Sequence, residues 1–286
     1  MKSHQFFIIP DGYDVTESVV DGLATTLIAP ASYRRIFIYL HGNGGTMASW
    51  KYVLQEIFQF DTSSAHLFLD LPNHGASARS ANPQNPIVQS EFLTRIHTVI
   101  ETVVPKRPTE TVIVGHCLGG MIAQLLIQSQ PNYYTHMVLI NAGSKIPAFL
   151  NLFRIAPMPW LIRLTESYWP ASWYEQKDLL LEKKRYVRDI DVIRLFFDIK
   201  SVGAKYYFQI GKFIQKIPFE EVAGKITQPV LIIAGEHDVY YSKKTTSSFV
   251  QNFQCATLLL IKNGGHMAIF NNPKEIAGAI RSFLHL

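Results

Sequence analysis

Sulfur is scarce in this chain. Its 286 residues include two cysteines, Cys117 and Cys255, too few for a disulfide scaffold or a four-thiolate zinc site. Long apolar runs are missing too. The opening MKSHQFFIIPDGYDV has only the apolar run Phe6–Ile9 before Pro10, whereas a secretory core needs roughly 7–15 apolar residues. Nothing approaches the roughly 18–20 apolar residues of a membrane helix, so no transmembrane segment is expected. These absences predict a cytoplasmic protein whose cysteines stay as thiols. Charge is nearly balanced: 27 Lys and Arg against 22 Asp and Glu give +5, a poor basis for nucleic-acid binding, and no nucleic-acid partner is expected. No H-E-x-x-H or comparable ligand spacing occurs, so neither a metal nor a cofactor is expected. Repeats, low-complexity tracts and flexible linkers are also missing.

What is present is apolar material. The chain is 48% hydrophobic and 12% aromatic, with mean hydropathy +0.08, enough for a large core and incompatible with a disordered or collagen-like chain. Six short apolar runs read as buried parallel strands: Arg35–Leu40, His66–Leu71, Thr111–Gly115, His136–Asn141, Pro229–Gly235 and Ala256–Lys262. Helical patterns at Ala48–Phe60, Pro86–Val104, Leu118–Gln130, Ser242–Phe253 and Pro273–Leu286 separate most of them. This alternation predicts an α/β fold with a mainly parallel sheet and helices on both faces, because each crossover must cover a face. Residues 5–29 read as an antiparallel entry, with turns at Pro10-Asp11-Gly12 and Asp21-Gly22. From about Gly143 to Gln228 the strands stop. Pro147, Pro157, Pro159 and Pro170 are followed by helical patterns rich in aromatics, among them Trp160, Trp169, Trp173, Phe197, Tyr206, Tyr207 and Phe213. We expect a core of residues 1–142 and 229–286 with a helical cap inserted at 143–228.

Four segments carry chemistry. Gly115-His116-Cys117-Leu118-Gly119-Gly120 follows the TVIVG strand and opens a helix, in the form G-x-nucleophile-x-G. A nucleophile on so sharp a turn needs glycines on either side so that helix and strand can approach. It then projects at a helix N-terminus, whose dipole favours a thiolate. His41-Gly42-Asn43-Gly44-Gly45 follows the RIFIYL strand, where a loop can turn a backbone N–H toward an oxyanion. A nucleotide-binding reading of that loop fails: Met47 stands where G-x-G-x-x-G needs its last glycine, and no G-K-[ST] follows. Asp238 in Gly235-Glu236-His237-Asp238 and His266 in Asn263-Gly264-Gly265-His266 lie just past two further strands. Loops at the carboxyl ends of strands are where open α/β sheets place ligands. The chain order is therefore nucleophile, acid, base: Cys117, Asp238, His266. His237 has the poorer setting for a base than His266, and Cys255 reads as a small buried hydrophobe.

On the segments IYLHGNGG, FLDLPNHGAS, VIVGHCLGGMIA, PVLIIAGEHD and NGGHMAIFNNPKEIAGAIRSFL, the sequence resembles the α/β-hydrolase fold superfamily over nearly its whole length. The resemblance implies that Cys117 is the nucleophile, Asp238 the acid and His266 the base. It also implies an oxyanion hole made by the backbone N–H groups of Asn43 and Leu118. His41, His116 and Asp70–Ser77 match positions that shape the site. The departure is Cys117, where most of the superfamily has Ser. Dienelactone hydrolases and polyhydroxyalkanoate synthases are minority branches with Cys, and a Ser exchanged for Cys by design is a further origin. The implied activity is hydrolysis of a carboxylic ester or thioester of an apolar acyl group through an acyl-Cys intermediate. The alternatives are an acyltransferase on the same residues and a catalytically silent binding member of the fold. The expected partner is a small-molecule acyl ester or thioester, carried on an acyl carrier or coenzyme A if the basic cluster Lys183-Lys184-Arg185 with Arg188 grips phosphate.

Overall fold

A computed structural model describes residues 2–3, 6–79, 87–104, 106–144 and 187–286. Among the described residues ten strands run in chain order: β1 (Lys2–Ser3), β2 (Ile8–Ile9), β3 (Tyr13–Val20), β4 (Leu23–Pro30), β5 (Arg35–Leu40), β6 (Ala65–Leu69), β7 (Glu110–His116), β8 (His136–Ile140), β9 (Val230–Gly235) and β10 (Ala256–Ile261). The described helices are α1 (Lys51–Ile57), α2 (Gln89–Val103), α3 (Leu118–Ser129), α4 (Val192–Val202), α5 (Ala204–Gln215), α6 (Phe219–Gly224), α7 (Lys243–Val250), α8 (Ala268–Asn271) and α9 (Pro273–Leu284).

The last eight strands form one sheet in the order β10-β9-β8-β7-β5-β6-β4-β3. From β5 to β10 every pairing is parallel, while β3 and β4 join antiparallel at the far side. The β3–β4 hairpin turns at Asp21 and Gly22, whose φ angles of 47° and 70° suit the two-residue turn that matches strand twist. The sheet is covered on both faces, which explains why its central strands lack polar alternation. Strand β5 shows the mechanism. Ile36, Ile38 and Leu40 enter a core with α2, α3 and α5, while Phe37 and Tyr39 enter a second core with α1 and α9. Successive side chains point to opposite faces, so one strand nucleates both cores. Ile276, Ala277, Ile280 and Leu284 form the buried stripe of α9, with Pro273 pre-set in its first turn.

The chain leaves β5 for β6 on one side, then returns to place β7 on the other side of β5. The carboxyl ends of β5 and β7 therefore meet at a topological switch point, with Leu40 opposite Gly115. Helices α4 and α5 come from the stretch between β8 and β9, where no described residue forms a strand. The prolines, tryptophans and lysines expected at 145–186 lie outside the described residues. No described helix is long and apolar enough to cross a membrane.

One expectation is corrected. Cys255 is exposed, not buried. It immediately precedes β10, the edge strand of the sheet, whose side chains are mostly only half covered. Its backbone is still tied in, since its carbonyl accepts from Val230 N at 2.9 Å.

Candidate active site

Cys117 follows β7 and precedes α3 with φ 51° and ψ −114°, a conformation disfavoured for any residue with a Cβ. Neighbouring glycines make the turn possible. A Cβ on Gly119 would collide with the carbonyls of Leu40 and His41, so the first turn of α3 can lie on β5 only because that side chain is missing. The turn is anchored by Cys117 N, which donates to Ile140 O at 3.0 Å. The loop after β5 lies over this position: a Cβ on Gly42 would stand 3.3 Å from Cys117 Cβ. Asn43 follows Gly42, and Leu118 opens α3, whose first N–H groups have no acceptor within their own helix.

The same loop is held from below. Buried His41 accepts from Leu71 N at 3.0 Å through Nε2 and donates from Nδ1 to Gly42 O at 2.8 Å. His74 donates from Nδ1 to Pro72 O at 2.9 Å and meets the Asn43 side-chain amide at 3.1 Å.

Asp238 and His266 arrive from the loops after β9 and β10. The Asp238 carboxylate is nearly saturated. Oδ1 accepts from Tyr240 N at 2.7 Å and Tyr241 N at 3.0 Å. Oδ2 accepts from Asn141 Nδ2 at 2.7 Å and His266 Nδ1 at 3.0 Å. Burial alone would raise its pKa, but the His266 charge and these hydrogen bonds outweigh it and hold the carboxyl below its ordinary range. Burial alone would likewise deprotonate His266. The negative charge of Cys117 and then that of Asp238, with a hydrogen bond to each, outweigh burial and push its pKa up to about 10. The structure thus brings Cys117, Asp238 and His266 together, with the imidazole between sulfur and carboxylate. His237 is exposed.

Asn141, Tyr240 and Tyr241 were not expected in this site, and His116 was expected only to shape it. Asn141, at φ 46° just past β8, also donates to Gly265 O at 3.2 Å and so ties the acid to the base loop. Buried His116 donates from Nε2 to His266 O at 3.0 Å; burial and then the His266 charge push its pKa down to about 3, so it stays neutral. Tyr240 and Tyr241 flank the His266 ring at 4.4 and 5.9 Å between centroids. An Asn or His directly beside a strand end was the available signal, but its partner is a loop more than ninety positions away.

Helices α4 and α5 fall within the stretch expected as a cap. Phe213 packs into the core against Phe92 at 5.7 Å, whereas the Tyr207 hydroxyl lies within reach of the Cys117 charge. Polar groups also face this region: Asp198 lies against Gly44, and Arg194 Nε stands 3.9 Å from Asp198. Arg188 is exposed, while Lys183-Lys184-Arg185 fall outside the described residues.

A model described as the alpha/beta hydrolase family matches residues 37–279. The chain belongs to this family. Protein ABHD8 of Mus musculus is 23% identical to this α/β-hydrolase over 257 residues, 87% of this chain and 55% of ABHD8. The chain thus spans about half the length of the ABHD8 relatives it matches. The sn-1-specific diacylglycerol lipase ABHD11 of Mus musculus is 22% identical over 261 residues, 86% of this chain and 80% of the lipase. Carboxylesterase CesB from Bacillus subtilis shares the fold, with a TM-score of 0.67 at 16% identity over 96% of this chain and 92% of its own.

Proposed function

We propose that this α/β-hydrolase cleaves a carboxylic ester or thioester of an apolar acyl group through an acyl-Cys117 intermediate. One observation carries the reading: the His266 ring meets the Asp238 carboxylate at 3.0 Å through Nδ1 and also shares a hydrogen bond with Cys117. The named activity of the diacylglycerol lipase relative supports an ester as the substrate.

The Cys117 thiolate attacks the acyl carbon, and the carbonyl pair moves onto oxygen. The N–H groups of Asn43 and Leu118 receive that oxyanion, and such a donor contributes roughly 10²–10³ in rate. His266 then gives its Nε2 proton to the departing oxygen or sulfur as the carbon–heteroatom bond breaks, leaving a thioester on Cys117. Neutral His266 next takes a proton from water, which attacks the thioester and expels the thiolate. Asp238 holds the ring and stabilises its cation at both stages. A thioester donor makes acylation close to an exchange of equals. An oxygen ester must form a higher-energy acyl-enzyme and expel an alkoxide, so activated esters and thioesters are the better donors.

Intact-mass measurement with a panel of acyl thioesters and oxygen esters tests this. The expected result is an acyl adduct that maps to Cys117 and decays in water, absent in Cys117→Ala. Turnover by both Cys117→Ala and His266→Ala at the wild-type rate on every working substrate would overturn it. A decay that needs an added alcohol or amine acceptor would make the protein an acyltransferase.

A further inference from the structure

Asp189 comes from neither of the loops that carry the acid and the base. It belongs to the stretch between β8 and β9, just ahead of α4. Its carboxylate nevertheless grips both loops by their backbones. Oδ2 accepts from His266 N at 2.7 Å, and Oδ1 accepts from Met267 N at 3.1 Å. Oδ2 also lies 3.5 Å from the N–H of Val239, the residue after Asp238. Gly265 makes the approach possible, because a Cβ there would fall 2.5 Å from Oδ1. Asp189 is itself held in place: its carbonyl accepts from Arg194 Nη2 at 2.7 Å and from the Tyr240 hydroxyl at 3.4 Å.

We propose that Asp189 is a positioning residue, a clasp whose carboxylate fixes the His266 backbone so that the imidazole meets Cys117. A ring turns about its own Cα, and a backbone N–H fixed at that residue restricts where the ring can swing. Two N–H groups taken by one carboxylate define a plane as well as a point. Among the described residues, Asp238, Cys117, His116, Tyr240 and Tyr241 meet His266 directly. None of them holds its backbone N–H, so Asp189 supplies a restraint that they do not.

This inference rests on His266 being the partner of Cys117. Its test reads that pairing without turnover. In a Cys255→Ser background, which removes the exposed thiol, the rate of Cys117 alkylation by iodoacetamide is measured at pH 6 and pH 9. A thiol without its imidazolium titrates near its free value of about 8.5, so the pH 6 to pH 9 rate ratio falls about tenfold or more when the pairing is lost. The expectation is that fall in Asp189→Ala and a smaller fall in Asp189→Asn, which keeps one acceptor oxygen. On a working ester, kcat drops while KM holds. Circular dichroism confirms the fold, and Asp189→Asn decides the matter if Asp189→Ala does not fold. His266→Ala separates the two ideas. If it loses the ratio and both Asp189 variants keep it, the clasp is overturned and the pairing stands. If His266→Ala also keeps the wild-type ratio, the pairing fails and the clasp fails with it.

Discussion

At the scale of the residue, Cys117 combines a proposed chemical role with backbone strain. A non-glycine residue held in such a region costs on the order of 1–3 kcal/mol. Ala keeps that cost and Gly relieves it, although Gly ordinarily loses roughly 0.5–1 kcal/mol to chain entropy. Cys117→Gly is therefore expected to melt at or above Cys117→Ala, the reverse of the usual order, in a calorimetric comparison of the two inactive variants. Asn141 makes a different point. Its amide reaches the Asp238 carboxylate at 2.7 Å, and a hydrogen bond to a charged group contributes about 1.5–3 kcal/mol. Asn141→Leu should lower the urea midpoint accordingly and cut kcat, because Asp238 then turns toward whatever donor remains. His266 sets an alkaline limit. In the proposed mechanism its proton, held to about pH 10, is the one given to the leaving group, so kcat/KM should fall as pH rises through that value. A profile flat to pH 11 would show that another acid serves.

At the scale of the element, the elbow depends on close backbone contact rather than on side chains. Gly119→Ala would press a methyl group into the Leu40 and His41 carbonyls, so that variant is expected to accumulate as insoluble protein while Gly278→Ala, which meets nothing within 4 Å, does not. Much of this level was legible beforehand. The six apolar runs became β5 to β10 with ends shifted by one or two positions, because a strand buried on both faces writes itself as an unbroken apolar run. The edge was misread at Cys255 for the same reason. Apolar letters give no sign that β10 has a neighbour on one side only. The helix expected from Ala48 begins as a 3₁₀ turn, Met47–Trp50, and becomes regular at Lys51. Strand-end motifs marked where Cys117, Asp238 and His266 would lie. Asn141 and Asp189 left no comparable trace, and the motif showed His116 only as a position that shapes the site, since each matters through backbone or side-chain contacts made by distant loops.

For the molecule as a whole, buried neutral histidines govern acid sensitivity. His66 sits among the rings of Phe37, Tyr39 and Phe58, and burial, opposed only by the Asp61 charge, pushes its pKa down to about 3. His116 behaves alike. The unfolded chain takes up a proton at each below pH 6.5 and the folded chain does not, so stability falls as pH drops from 6.5 toward 3. Each group adds a slope of about 1.4 kcal/mol per pH unit. His66→Gln leaves a polar partner for Tyr39 but no titration. Its unfolding free energy should lose less between pH 6 and pH 4 than that of the parent protein, measured by urea denaturation at each pH.

Strand β10 is the last of the described strands in chain order and lies at an edge of the sheet, and the imidazole rides on the loop just beyond it. During synthesis the sulfur emerges from the ribosome some 150 positions before its proton partner. On the proposed mechanism, a nascent chain stalled short of that strand would carry an unarmed thiol, and reactivity would begin only when this edge zips onto β9.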